Sequence, residues 1–274
     1  MAHYIILDSG HAKVTAGKRS PDSNLMEWEF NNDMQYRLKA RLEQLGFVVY
    51  LVNPNPEKGA EVSLSNRCSK ANSYWAGKGK PADTLYVSLH ANAAGSGGWS
   101  TARGVEVYTS VGCSSKSASA AKKICAAIYK DVYAIDKGFK NRGHKSNNFY
   151  VVKNTNMPGV LIEYAFYTNK QDLVVLKNNR AELAEATVKA LCQCFNMPYK
   201  AAGAEPKQEP FTVKVIYTGK EGLNIRKQAN LSSAVVGQVF EGQVFTILEV
   251  VNGMGKLKSG VGWISLGAKY VKRV

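Results

Sequence analysis

The sequence predicts an α/β domain, a central mostly parallel or mixed sheet flanked by helices, followed by a small all-β barrel. Three observations carry this. Over residues 1–199, short apolar runs alternate with stretches of helical spacing, the pattern of strands that cross to covering helices. At 200–210, KAAGAEPKQEP shifts to small residues, prolines and alternating charges, which reads as a flexible linker. Over 211–274 the helical spacing does not return, and short runs lie between Gly and Asn turn signals.

The elements follow in order. HYIILD (3–8) is a short apolar run and reads as a buried strand. In 26–46, Phe30, Met34, Leu38, Leu42 and Leu45 share one helical face, and Gly46 suits the stop. FVVYLV (47–52) is a strand, and 63–76 a helix with Ser63 or Ser65 as N-cap. TLYVSLH (84–90) and GVEVYT (104–109) are strands. Residues 114–132 form a helix with Ala118, Ala121, Ile124, Cys125 and Ile128 inward. NFYVVK (148–153) and GVLIEYAF (159–166) read as strands, and 180–196 as a closing helix.

A length of 274 residues suits one good-sized core plus a small module. The formal charge of +15 favours a polyanionic partner: nucleic acid, anionic membrane or a phosphate-rich wall polymer. No helix-turn-helix pattern, Cys-pair finger or aromatic RNA signature is visible, so nucleic acid is not expected. No apolar run approaches a membrane span, and MAHYIILDSGHA lacks the basic start and long apolar stretch of a secretory signal. Synthesis in the cytoplasm, with release by some other route, is the expectation. The five scattered cysteines make no disulfide framework and read as buried small hydrophobes of a reducing compartment. The sequence assigns no oligomeric state.

Four residues stand at the ends of apolar runs or inside them: His11, Glu27, His90 and Glu163. Two histidines and a glutamate make a zinc site with an open fourth position, and a further glutamate can serve as general base. His11 closes a strand, where open α/β sheets place their sites, and Asp8 is positioned to hold its imidazole. A loop histidine without a role is the bland alternative. Glu27 competes with Glu29. At 100° per residue Glu27 lies within about 20° of Met34 and Leu38, whereas Glu29 lies roughly 140° from Met34. The helix macrodipole accounts for either glutamate without a metal. His90 ends an apolar strand that opens into the Gly-rich loop AAGSGGW (93–99), and a satisfied core histidine is its alternative. Glu163 sits inside VLIEYAF, where a carboxylate is costly unless it is functional or paired, for instance with Arg67 or Arg142.

The motifs resemble the zinc-dependent N-acetylmuramoyl-L-alanine amidases of the Amidase_3 type. LDSGH (7–11), MEWEFN (26–31), LSNRCSKAN (64–72), VSLHAN (87–92) and 141–169 match five family segments in the family's order. The Glu-x-x-x-Asn spacing within MEWEFN again selects Glu27. The resemblance implies that His11, Glu27 and His90 hold Zn²⁺ and that Glu163 is the catalytic base. It implies cleavage of the amide between N-acetylmuramic acid and L-alanine. Asn92, Arg67 and His144 are the expected substrate contacts. His144 stands in RGHK where the family more often has an aliphatic residue, and it is not assigned to the metal.

The tail resembles a bacterial SH3-type wall-binding module. EGLNIRKQANLSSAVVGQVFEGQVFTILE (221–249) carries its Leu-Asn-Ile-Arg opening, and GVGWISLGAKYV (260–271) its Gly-Trp closing strand. Nine basic residues against three acidic ones over 212–274 suit an anionic wall. Trp263 is expected in the core. An amidase, a basic wall-binding tail and no signal peptide together resemble a phage endolysin, whose partners are peptidoglycan and anionic wall polymer. A bacterial autolysin of the same chemistry is the nearer alternative. A non-catalytic wall-binding or nucleic-acid-binding basic protein is the more distant one, and the buried Glu163 argues against it.

Overall fold

The apolar runs near the start of the chain become strands because both faces of the sheet they form are covered. The computed structural model describes residues 2–57, 60–201, 210–251 and 253–274. They fall into two units, Met1–Ala201 and Ala202–Val274. In the first, β1 (Tyr4–Ser9), β2 (Val48–Leu51), β3 (Thr84–Asn92), β4 (Val105–Thr109), β5 (Asn141–Ser146) and β6 (Gly159–Phe166) pair in the order β2-β1-β3-β6-β4-β5. β2, β1, β3 and β6 run parallel. β4 is antiparallel to β6, and β5 is parallel to β4, so the sheet is mixed.

Alternation along each strand divides the core. Ile5 and Leu7 of β1 pack with α1 (Glu27–Gln44), α3 (Ser115–Ile135) and α6 (Arg180–Cys194) through Leu38, Ile128 and Leu191. Ile6 points the other way and joins Tyr86 and Leu161 against α2 (Leu64–Gly77) and α4 (Tyr150–Asn154) through Cys68, Val151 and Val152. Each such side chain, taken out of water, contributes about 1.5–3 kcal/mol. Ser63 caps α2 by accepting from the Asn66 amide at 3.3 Å. All five cysteines are free; Cys68, Cys125 and Cys192 are buried, Cys113 and Cys194 half-buried.

The structure corrects three local expectations. Residues 148–153 are not a strand, because Tyr150–Asn154 is helix α4. Its Val151 and Val152 are both buried against α2, so tertiary packing overrides the strand preference of a β-branched pair. The strand lies just before it, in the polar Asn141–Ser146, an edge strand without an apolar alternation to reveal it. A further helix, α5 (Lys170–Asn178), is capped by Asn169, whose Oδ1 accepts from the Gln171 and Asp172 amides. On α3, Ser117 and Ala120 are buried where Ala118 is only half-buried.

The second unit is an antiparallel sheet of seven strands: β7 (Phe211–Val215), β8 (Leu223–Arg226), β9 (Val235–Val239), β10 (Val244–Val251), β11 (Met254–Leu257), β12 (Trp263–Ser265) and β13 (Val271–Arg273). Their order is β13-β7-β10-β11-β12-β8-β9. Val213, Val215, Ile225, Ile247 and Ile264 form its core. Trp263 is only half-buried and outside that cluster, because its neighbour Ile264 takes the inward position. Residues 202–209 of the expected linker lie outside the described residues.

Candidate metal centre

The site begins where β1 ends. His11 has φ 63°, a left-handed backbone that non-glycine residues rarely adopt. Buried side chains hold the carbonyls around it. Asn31 Nδ2 donates to Gly10 O at 3.0 Å, and Asn53 Nδ2 to Ser9 O and His11 O at 3.3 Å each. Arg67 Nη1 donates to Ser9 O at 2.6 Å. Gly10 leaves room for the facing imidazole, since a Cβ there would lie 2.2 Å from His90 Cε1.

The β1–β3 register, which ends at Ser9 opposite Leu89, puts His90 beside His11, and Glu27 reaches both from the first turn of α1. His90 Nδ1 is 3.0 Å from Glu27 Oε1, and His11 Nε2 is 3.4 Å from Glu27 Oε2. The two imidazoles stand at 88° with centroids 5.1 Å apart. One donor atom from each of the three residues lies within 4.8 Å of the others. Two imidazole nitrogens and a carboxylate oxygen brought this close make a donor set that suits zinc. Burial pushes the Glu27 carboxyl up, but hydrogen bonds from His11 and His90 outweigh it and bring it down to about 2. Glu27 is thus a buried anion, as a cation site requires. Glu29 faces outward beside Arg180.

Glu163 lies on β6 directly across from His90 of β3. Its Oε2 is buried without a hydrogen-bond partner among the described residues. Burial, then the charges of Glu27 and Glu106, hold its carboxyl well above the usual range. Neither arginine proposed as a structural partner reaches it: Arg67 pairs with Asp8 and Arg142 with Glu106. His11, Glu27, His90 and Glu163 line one cavity of about 400 Å³, with Asn92 and Tyr167 on its wall.

The outer residues differ from the sequence expectation. Asp8 does not hold His11; it accepts from Arg67 Nη1 and from Tyr86 Oη, both at 2.5 Å. Arg67 lines the cavity, but it is buried and its guanidinium is engaged with Asp8, Val62 O, Ser9 O and His11 O, so it braces the His11 loop. Asn92 does line the cavity, with Nδ2 donating to Glu106 Oε1 at 2.6 Å. His144 is the clearest departure. It pairs in register with Val107, whose side chain packs with α3, while Glu106 and Glu163 face each other in register. Its imidazole binds Thr109 Oγ1 at 2.8 Å, away from the cavity.

Sequence reasoning missed Glu106. Its carboxylate accepts from Asn92, Tyr108, Arg142 and Lys145. The available signal was the one used for Glu163: a carboxylate inside an apolar strand, here GVEVYT. A second missed residue is Glu61, 3.5 Å from His11 Nδ1 and held by the Thr15 hydroxyl at 2.7 Å.

A mixed sheet flanked by helices, with this donor set and a buried unpartnered carboxyl oxygen beside it, has the features of a metal-dependent hydrolase. Residues 5–193 match Amidase_3, N-acetylmuramoyl-L-alanine amidase, and the chain belongs to that family. It is 29% identical to an endolysin of Bacillus phage SPP1 over 99% of this chain and 98% of that protein. It is 33% identical to the N-acetylmuramoyl-L-alanine amidase LytC of Bacillus subtilis, over 63% of this chain but 31% of that protein. Among solved structures, an N-acetylmuramoyl-L-alanine amidase from Clostridium difficile 630 superposes with TM-score 0.61 at 26% identity, covering 71% of this chain and 97% of that one. The catalytic domain of CwlV from Bacillus (Paenibacillus) polymyxa shares the fold, with TM-score 0.59 at 23% identity over 72% of this chain and 99% of that one.

Proposed function

We propose that the chain is a zinc-dependent endolysin that cuts the bond between N-acetylmuramic acid and L-alanine, with 211–274 as an SH3-type wall-binding module. The observation that carries the chemistry is the convergence of His11, Glu27 and His90 beside the unpartnered Glu163. The endolysin reading is supported by a match that runs through both units, whereas the LytC match takes in under a third of that protein.

His11, Glu27 and His90 would hold the zinc. When bound, it supplies Lewis-acid chemistry, polarising an amide carbonyl and making water acidic near neutral pH. Glu163 does the proton work. A carboxyl with raised proton affinity is a stronger base, and its Oε2 has no other partner to satisfy. It takes a proton from water and returns it to the departing L-alanine nitrogen. Asn31, Asn53 and Arg67 hold His11 in its costly backbone conformation, and Gly10 leaves room for the His90 ring.

Among the described residues no helix is long and apolar enough to cross a membrane. The reading has the enzyme accumulate in the cytoplasm and meet the wall after release. The basic tail would then concentrate it on anionic wall polymer.

Mass spectrometry of digested wall, with and without a chelator, tests the chemistry. Free amine on L-alanine with intact glycan, lost on chelation, is expected. Cleaved cross-bridges or new reducing ends would overturn it. The 211–274 fragment should sediment with walls and be released by salt; wall binding by 1–200 alone would overturn the tail's role.

A further inference from the structure

A second concave region of the first unit takes no part in the steps above, and three stretches of chain connect it to the metal centre. Lys18, Ala93 and Tyr167 line the catalytic cavity. Ala93 and Tyr167 also line an adjoining hollow, with Arg19 and Thr168. Further along the same stretches, Asp22, Trp99 and Lys170 line a third hollow of about 450 Å³. The first two hollows share Ala93 and Tyr167, and the third takes Asp22, Trp99 and Lys170 from the same three stretches of chain, within six residues of those two hollows.

The third hollow is built rather than loose. The Gly-rich loop that carries Trp99 is tied down at both ends: the Ala94 amide donates to Thr168 Oγ1 at 3.0 Å and the Ser100 amide to Thr168 O at 2.7 Å. Asn169 Nδ2 adds a bond to Ser100 O at 3.0 Å. The indole is 42% exposed, with Lys170 Nζ 5.4 Å from its ring centroid, a contact that orients it. Around it stand the donors of Lys177 and Asn178 and the carboxylate of Asp22. An aromatic face ringed by both donors and acceptors fits a neutral polyhydroxy ligand.

We propose that the Trp99 hollow is a remote subsite for the glycan strand of the wall. An N-acetylhexosamine unit stacks its C–H face on the indole and bonds Asp22, Lys177 and Asn178 through hydroxyl and acetamide groups. The muramoyl amide of the same strand lies at Glu163. This rests on the amidase reading and adds that the enzyme reads saccharide beyond the bond it cuts.

The test uses the full chain and two soluble substrates: long glycan strands carrying stem peptides, and the disaccharide-peptides left after muramidase trimming. Trp99→Ala should lower kcat/KM about tenfold on long strands and leave the disaccharide-peptide rate unchanged, while Trp99→Tyr retains most of the long-strand rate. Equal loss on both substrates, or loss on neither, overturns the proposal. Binding is read separately with peptide-free glycan strands, which should bind the wild type more tightly than Trp99→Ala by a similar factor. If free stem peptide discriminates the two proteins and glycan does not, the hollow belongs to peptide and the proposal is wrong. Should the wild type release no L-alanine amine from any substrate, the amidase reading fails, and the glycan-binding comparison still decides the subsite.

Discussion

Glu106 and Glu163 face each other across the antiparallel pairing of β4 and β6, and their surroundings are opposite. Glu106 accepts from four donor side chains; Glu163 Oε2 accepts from none among the described residues. Two carboxyls on neighbouring strands are thereby driven apart in proton affinity. Burial pushes Glu106 up, but the bonds from Lys145, Arg142 and Tyr108 outweigh it and hold it low. Burial, with Glu27 and Glu106 as like charges, holds Glu163 high. One carboxylate has its bonds filled by neighbouring side chains, and the other keeps an oxygen free, as the proposed base requires.

Glu163→Gln should reduce turnover about 10²–10⁴-fold with zinc content unchanged. It also has a stability signature. A carboxyl held high in the fold contributes stability that is present in acid, below the unfolded value, and is lost as pH rises through the folded value. The amide variant does not lose it. Metal-stripped Glu163→Gln should therefore resist urea better than wild type at about pH 8, with the advantage gone near pH 4. No difference at the higher pH would mean the wild-type carboxyl is not strained there.

Glu106→Gln should do the reverse. A depressed carboxyl contributes stability that is present above the unfolded value and lost as pH falls through the folded one. The variant should be less stable at neutral pH by about 1–2 kcal/mol, a modest figure because Arg142 and Lys145 each keep about a third of their surface in water. Urea titrations across the acid limb should converge for the two proteins. Parallel curves would assign the acid limb elsewhere.

Gly10→Ala places a Cβ 2.2 Å from the His90 ring, which has to move. Zinc affinity, measured against a competing chromogenic chelator, should fall about 10–100-fold, while the far-ultraviolet dichroism stays native. Unchanged affinity would mean that the ring position does not limit binding.

Arg67→Ala strands the buried Asp8 carboxylate and frees the carbonyls of Ser9 and His11. A loss of about 3–5 kcal/mol in urea unfolding is expected, with weaker zinc binding. Arg67→Lys should recover only part, since one ammonium cannot reach Val62 O and Asp8 as the guanidinium does. A substrate-contact role would instead raise KM and leave stability intact.

Much of the site was legible because function contradicts composition at its residues. Glu163 in VLIEYAF and His90 in LYVSLHAN interrupt apolar strands, and helical phase separated Glu27 from Glu29. The same logic, applied to GVEVYT, would have found Glu106. His144 misled because its place in the chain says nothing of side: one step along β5 turns a residue from the face of Glu106 to the face of α3. The polar edge strand at Asn141–Ser146 and the helix at Tyr150–Asn154 were exchanged for a related reason. An edge strand needs no apolar alternation, and a buried valine pair suits either conformation.

By itself the sequence determined the elements whose patterning is local: the parallel strands β1, β3 and β6, the amphipathic α1 and α3, and the change of character after residue 200. It also determined which residue types were available for the chemistry. Only the tertiary structure decided that Arg67 braces the His11 loop, that Asp8 serves Arg67 instead of His11, and that Glu106 is satisfied while Glu163 Oε2 is not. Periodicity is written along the chain, but a carboxyl's proton affinity depends on which distant donors the fold brings to it.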